Sequence, residues 1–409
     1  GNVKGVTGFP AVIKNLAVDR LTLTEKDGSP RYAALIGHAE GVTEFSGISL
    51  TNVENTITAG RVAAFAGYIY GATNMSSISI DASLGCSHID NTGNACGGLA
   101  AIYATSGGGT NTFETISVEV EFTSLISNDH NYQGGLFGQI EPDDASNPTI
   151  QIRDVIVEAS DPNDVTGSRF GGFIGQIGQV NTGEKLTIDF DRIGFVGQIP
   201  DAQTNSYLIG FIRSNGTGAS VRFMVDEAIF AGTIGNATYG QANPLLQGDS
   251  LHQNGGTQSF NFDNVFHNSG LSVPRTTSVN TADRFTVSSY SDAEETNSLT
   301  ISTNLETTAH WYLQAPANFP EDSAAYEKEV FGSYPVPFAV ANASLIGNKI
   351  RLNANFDGGT SVTKLGVRRD DHPAYFDLSL LEAPSSRTDF EFAGWGSNSG
   401  GTSTVWPVG

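Results

Sequence analysis

The sequence predicts an all-β protein, a parallel β-helix (β-solenoid) of about seven to eight coils of three short strands, followed by a small β-rich module. Three observations lead there. Glycine is abundant at 48 residues while charged residues make up only 16% of the chain, a composition suited to strands joined by tight turns. One Gly-rich phrase recurs at a nearly constant spacing. After most copies of it comes a segment that alternates apolar and polar residues, the period of a half-buried strand.

The recurring phrase stands at Tyr32–Gly37, Val62–Gly67, Cys96–Ala101, Gln133–Gly138, Phe170–Gly175 and Leu208–Arg213. Its last positions lie 30, 34, 37, 37 and 38 residues apart, a period that marks a stacked repeat. The alternating segments begin at Ile48, Ile78, Ile116, Ile150, Thr187, Phe223 and Phe260. They are expected to bend midway, at Asn52, Asp154, Arg192, Glu227 or Asn264, and Ala11–Leu23 fits the same register with Asn15 in the corner. A propeller blade needs about four strands with hairpin turns, and that signal is missing, so like strands should stack in parallel.

Stacking predicts an apolar column of Leu35, Phe65, Leu99, Leu136, Phe173 and Phe211, with small residues two positions on. If Leu136 points inward, strict alternation sends Phe137 outward. The expected outer column is then Ile36, Ala66, Ala100, Phe137, Ile174 and Ile212, beside His38, Tyr68, Ile102, Gln139, Gln176 and Ser214. Arg31, Arg61, Tyr132, Arg169 and Tyr207 are expected to edge this face. With Phe137 and Ile174 they form the candidate binding residues, because an exposed apolar stripe marks a contact.

The first coil lacks its Gly-rich strand, so further coils or a cap are expected upstream, and the start at Gly1 reads as a mature product or an excised piece. The repeats occupy residues 1–270, a capping region 271–342, and a small β-rich module, which the resemblance given below makes β-grasp-like, 343–409. Within the capping region, Pro320–Val330 carries a helix signal, with proline first and acids in the first turn.

The chemistry points away from catalysis. A formal charge of −22 argues against nucleic acid and anionic membrane surfaces as partners. Seven scattered histidines supply no zinc spacing, and no phosphate loop or nucleophile elbow occurs. Asp143, Asp144, Asp161 and Asp164 lie in acidic loops that make them calcium candidates, although solvated turns are the preferred reading. No cofactor is expected. Cys86 and Cys96, close together in a Thr/Ser/Asn-rich chain, suggest a local disulfide and an oxidising compartment. A polysaccharide-degrading β-helix enzyme is the alternative. It would need a unique catalytic cation, whereas Arg31, Arg61 and Arg169 recur at one repeat position.

The Gly-rich phrase with its following strands resembles the GLUG-type repeat of bacterial surface and secreted proteins, closed by Trp311, Tyr334, Pro335 and Val336. The last unit is similar to the Listeria–Bacteroides repeat, the β-grasp module of internalin-type surface proteins, through Phe356–Thr360, Ala383, Pro384, Arg387, Phe392–Trp395 and Gly400–Thr402. These resemblances imply a right-handed solenoid outside the cell that acts as an adhesin or scaffold, or as a spacer. They imply a protein or glycan ligand and no catalytic residues.

Overall fold

The computed structural model describes residues 1–24, 31–57, 60–85, 94–105, 110–123, 131–142, 147–160, 169–199, 205–215, 217–234, 247–253, 257–268 and 284–290, with short segments between 311 and 406. It falls into two units, Gly1–Asp292 and Ala293–Gly409. The first unit begins β1 (Asn2–Lys4), β2 (Ala11–Leu23), β3 (Arg31–Ala33), β4 (His38–Glu40), β5 (Thr43–Asn55), β6 (Arg61–Ala63), β7 (Ala66–Tyr70) and β8 (Thr73–Leu84). It continues with β9 (Asn94–Gly97), β10 (Ala100–Thr105), β11 (Thr110–Phe122), β12 (Asn131–Gly134), β13 (Phe137–Pro142) and β14 (Thr149–Ser160). The later strands are β15 (Arg169–Val180), β16 (Lys185–Ile199), β17 (Asn205–Asn215), β18 (Ser220–Ile234), β19 (Gln247–Gln253), β20 (Thr257–Asn268) and β21 (Arg284–Tyr290).

These strands form a parallel β-solenoid. The long strands stack in the order β2-β5-β8-β11-β14-β16-β18-β20-β21 as one parallel sheet. The Gly-rich phrases supply a second sheet in two halves, β3-β6-β9-β12 and β1-β4-β7-β10-β13, which meet in the continuous β15. Parallel pairing runs on through β21, past the last clear copy of the phrase.

Each long strand turns a corner without breaking its ladder. Asn15, Gly47, Ser77, Thr115, Asp154, Arg192 and Glu227 all have φ between 51° and 63°, and the flanking pairs place them in one column across the coils. A single left-handed residue between two extended stretches redirects the chain while both neighbours keep their hydrogen bonds. The corner of the second coil is therefore Gly47 and not Asn52. Asn52 (φ 54°) lies at the level of Arg20 (φ 56°) and makes a second kink confined to the first two long strands. Its extra residue is absorbed by a register shift between Leu50 and Val53.

Alternation on either side of the corner fills the interior. Phe45, Met75, Phe113, Ile152, Phe190 and Val225 form one buried column before it, and Ile48, Ile78, Ile116, Val155, Ile193 and Ala228 another after it. Each large apolar side chain so buried contributes roughly 1.5–3 kcal/mol. At the start of the long strands a polar ladder is satisfied internally. Thr43 and Thr73 hydroxyls lie 3.0 Å apart, and the Thr73 N–H donates to Asn111 Oδ1 at 3.1 Å.

The Gly-rich phrase does not form one straight strand. Between β12 and β13 the chain bends sharply at Gly135 and Leu136, and the equivalent bend lies between β6 and β7 and between β9 and β10. The two arms come so close that a Cβ at Gly138 would sit 2.6 Å from the Cys96 backbone nitrogen. That closeness requires glycine.

The second unit contains, among the described residues, several short antiparallel pairs. Trp311–Tyr312 pairs with Val336–Pro337, Asn348–Leu352 lies between Tyr326–Glu327 and Val362–Gly366, and Trp395–Gly396 pairs with Val405–Trp406. Tyr326 and Glu327 belong to a strand opposite Ile350 and Lys349, so the helix expected over Pro320–Val330 is not formed there. The cross-strand partner outweighs the local signal.

Candidate ligand-binding face

The bend determines which side chains meet outside the solenoid. Val62 and Cys96 join the main core, whereas Ala63, Ala95, Ala101 and Ile102 form a separate small cluster with Ala33 and Tyr68. The two arms of the phrase therefore face each other across a crease. One wall carries the register positions Arg31, Arg61, Ala95, Tyr132 and Arg169. On the other wall stand Tyr68, Ile102, Gln139 and Gln176.

Phe137 and Ile174 do not lie on this face. Both are fully buried at 0% exposure, as is Leu136 beside them. Phe137 packs edge-on against Phe113 at 5.1 Å and near Tyr103 at 5.6 Å. Strict alternation from Leu136 fails because the bend intervenes, and consecutive residues at a bend can both point to the inside of the curve. The proposed outer column Ile36, Ala66, Ala100, Phe137 and Ile174 is accordingly an inner one.

Tyr207 is also displaced. It pairs with Gly171, while Asn205 stands opposite Arg169. Register shifts inside this pairing place Ile209 opposite Ile174 and Ile212 opposite Ile177, so Phe211 does not continue the Phe173 column. The phrase at Leu208–Arg213 thus sits two to three residues further along its coil than its sequence likeness suggests. Tyr132 is nearly buried at 7% exposure. Of Arg31 and Arg169 only the backbone positions are described.

What remains at the surface is a compact mixed patch over the first coils. The Arg61 guanidinium carbon lies 5.0 Å from the Tyr68 ring centre. His38 meets the same ring edge-on at 5.2 Å, and the Tyr70 ring lies nearly parallel to it at 6.4 Å. The Tyr68 hydroxyl donates to Glu141 Oε2 at 3.4 Å, across the intervening coil. Lys4 donates to Glu40 at 2.8 Å, and that hydrogen bond holds the Glu40 carboxyl below its ordinary pKa. Arg61, Tyr68, Tyr70, Gln139 and Glu141 are all partly exposed. An aromatic surface ringed by a guanidinium, carboxylates and an amide can pack against a flat ligand while hydrogen-bonding its polar groups.

The outer side of the long sheet differs in chemistry. Asp81, Glu119 and Glu158 stand in register on successive strands, as do Glu54, Ser83, Glu121 and Ser160. They line an open groove of about 530 Å³. Carboxylates stacked about 4.8 Å apart repel one another, and no group of three or more metal-ligating side chains occurs among the described residues. The calcium candidates Asp143, Asp144, Asp161 and Asp164 lie outside the described residues, and so does Cys86, whose expected partner Cys96 is buried in its strand.

A charged brace at the corner column was not legible as such. Arg192 donates to both oxygens of Asp154, at 2.7 and 3.1 Å, and to Asp191 at 2.7 Å. Burial raises the Asp191 pKa, with the nearby Arg192 charge opposing and the Asp154 and Asp226 carboxylates adding to the rise. The signal was the recurrence of Asp154, Arg192 and Glu227 at one bend position with alternating charge. The Tyr68–Glu141 contact, between residues 73 apart, had no sequence signal. No family model, curated protein or solved structure matches the chain.

Proposed function

We propose that this chain is a segment of an extracellular, cell-surface protein of adhesin or scaffold type, whose solenoid presents the patch around Tyr68 to a glycan. The supporting observation is the clustering of Arg61, Tyr68, Tyr70, His38 and Glu141 around one crease, held together by contacts that cross the crease and the coils. A ladder-built support costs little further ordering when a ligand binds. The GLUG-type resemblance of the repeats fits this setting, as does the internalin-type resemblance of residues 343–409. A Cys86–Cys96 bridge would accompany it, and intact-mass measurement with and without reductant reads that bridge. Glycan-array binding of the purified chain tests the function. Specific hits that vanish in Tyr70→Ala at unchanged melting temperature support the reading, and a folded chain with no hits overturns it. Cleavage products among the bound glycans would favour the polysaccharide-degrading alternative.

A further inference from the structure

Resting on that glycan reading, we infer that the ligand carries a carboxylate, as a uronate-type sugar does, and that Arg61 is the residue that recognises it. Five described cations of the solenoid are already engaged by the protein. Lys4, Lys14, Arg20, Arg153 and Arg192 each lie within 4.0 Å of a carboxylate oxygen. Arg61 is different. Its guanidinium is held over the Tyr68 ring at 5.0 Å and has no hydrogen bond or ion pair among the described residues. A guanidinium positioned over an aromatic ring keeps its planar fork of N–H donors, which matches a carboxylate in two parallel hydrogen bonds.

The surrounding groups narrow the ligand. Tyr68 links the guanidinium above its ring to the Glu141 carboxylate at its hydroxyl, so a cation and an acceptor stand at the two ends of one side chain. Glu40, next along the same wall, is held in its ionised form by Lys4. Ionised carboxylates only accept hydrogen bonds, so they favour hydroxyl donors and repel a second anionic group. One carboxylate for Arg61, hydroxyls for the acceptors and an apolar ring face for Tyr70 describe a sugar ring with a single acid group. A densely charged polyanion or an acidic peptide would bring its additional charges against Glu40 and Glu141.

Calorimetric titration of the full chain with a uronate-containing oligosaccharide, its carboxyl-reduced neutral counterpart and an acidic peptide tests the assignment. The acidic sugar is expected to bind at least about tenfold more tightly than the neutral one, the scale of one charge-assisted pair. Arg61→Gln should abolish that preference at unchanged melting temperature, and Arg61→Lys should restore part of it. Equal affinity for both sugars, lost in Tyr70→Ala, would overturn the carboxylate assignment while the glycan reading stands. A preference that survives Arg61→Gln overturns the role of Arg61. Binding of the peptide alone, or of none of the three, removes both.

Discussion

Arg192 grips Asp154 of the preceding coil with two hydrogen bonds, Nε to Oδ1 at 2.7 Å and Nη2 to Oδ2 at 3.1 Å. Both residues stand at the left-handed corner (φ 53° and 51°), and both side chains are largely buried. The pair therefore ties two strained positions together where the long sheet turns. Asp154→Asn keeps the shape and removes the charge. It is expected to lower stability by about 1.5–3 kcal/mol, the range for hydrogen bonds to a charged group. Thermal or denaturant unfolding measures it, and an unchanged midpoint would show that Asp191 alone suffices for Arg192.

Asp191 gives the same corner a pH dependence. Burial raises its pKa in the folded chain. A carboxyl that binds its proton more tightly when folded favours folding below the unfolded carboxylate range, and this contribution is lost as pH rises through the folded value. Asp191→Asn stays neutral throughout. Its stability relative to the parent should therefore improve from about pH 3 to pH 7. Unfolding midpoints at several pH values read this, and a constant difference between the two proteins would contradict it.

The interior columns predict unequal costs at neighbouring positions. Phe173 packs against Phe190, Phe195 and Phe230 with ring centres 5.7, 5.9 and 6.4 Å away. Phe173→Ala should cost about 3–5 kcal/mol. Gly175→Val should fail for the opposite reason, since even a Cβ there would lie 2.5 Å from the Gln133 carbonyl oxygen. Chemical denaturation of both variants checks the pair, and two parent-like midpoints would place the register wrongly.

Gln133 offers a stabilising change. It is fully buried, and neither its amide oxygen nor its amide nitrogen has a hydrogen-bond partner among the described residues. Its register neighbour on β9 is Cys96. Gln133→Met keeps the length and removes both orphaned groups, and should raise stability by about 1–3 kcal/mol. A lower melting temperature would mean that the amide is satisfied inside the core.

The repeat, the parallel stacking and the inward faces of the long strands are legible in the residues alone. A period near 35 residues and strict alternation in the long strands are local signals, and they put Ile48, Ile78 and Ile116 at one level, although the ladder continues that column with Val155 and not with Ile150. The sequence also located the corner at Asn15, Asp154, Arg192 and Glu227. Tertiary structure decided the rest. Whether Phe137 faces in or out depends on a bend that alternation cannot register. Gly47 takes the second corner, and Asn52 does not, because the ladder to β2 aligns Gly47 with Asn15. The patch itself joins Arg61 to Tyr68 across a crease and Tyr68 to Glu141 across the intervening coil. Such contacts arise only when the arms of separate coils are brought within side-chain reach, and that distance is set by backbone packing at glycines such as Gly138.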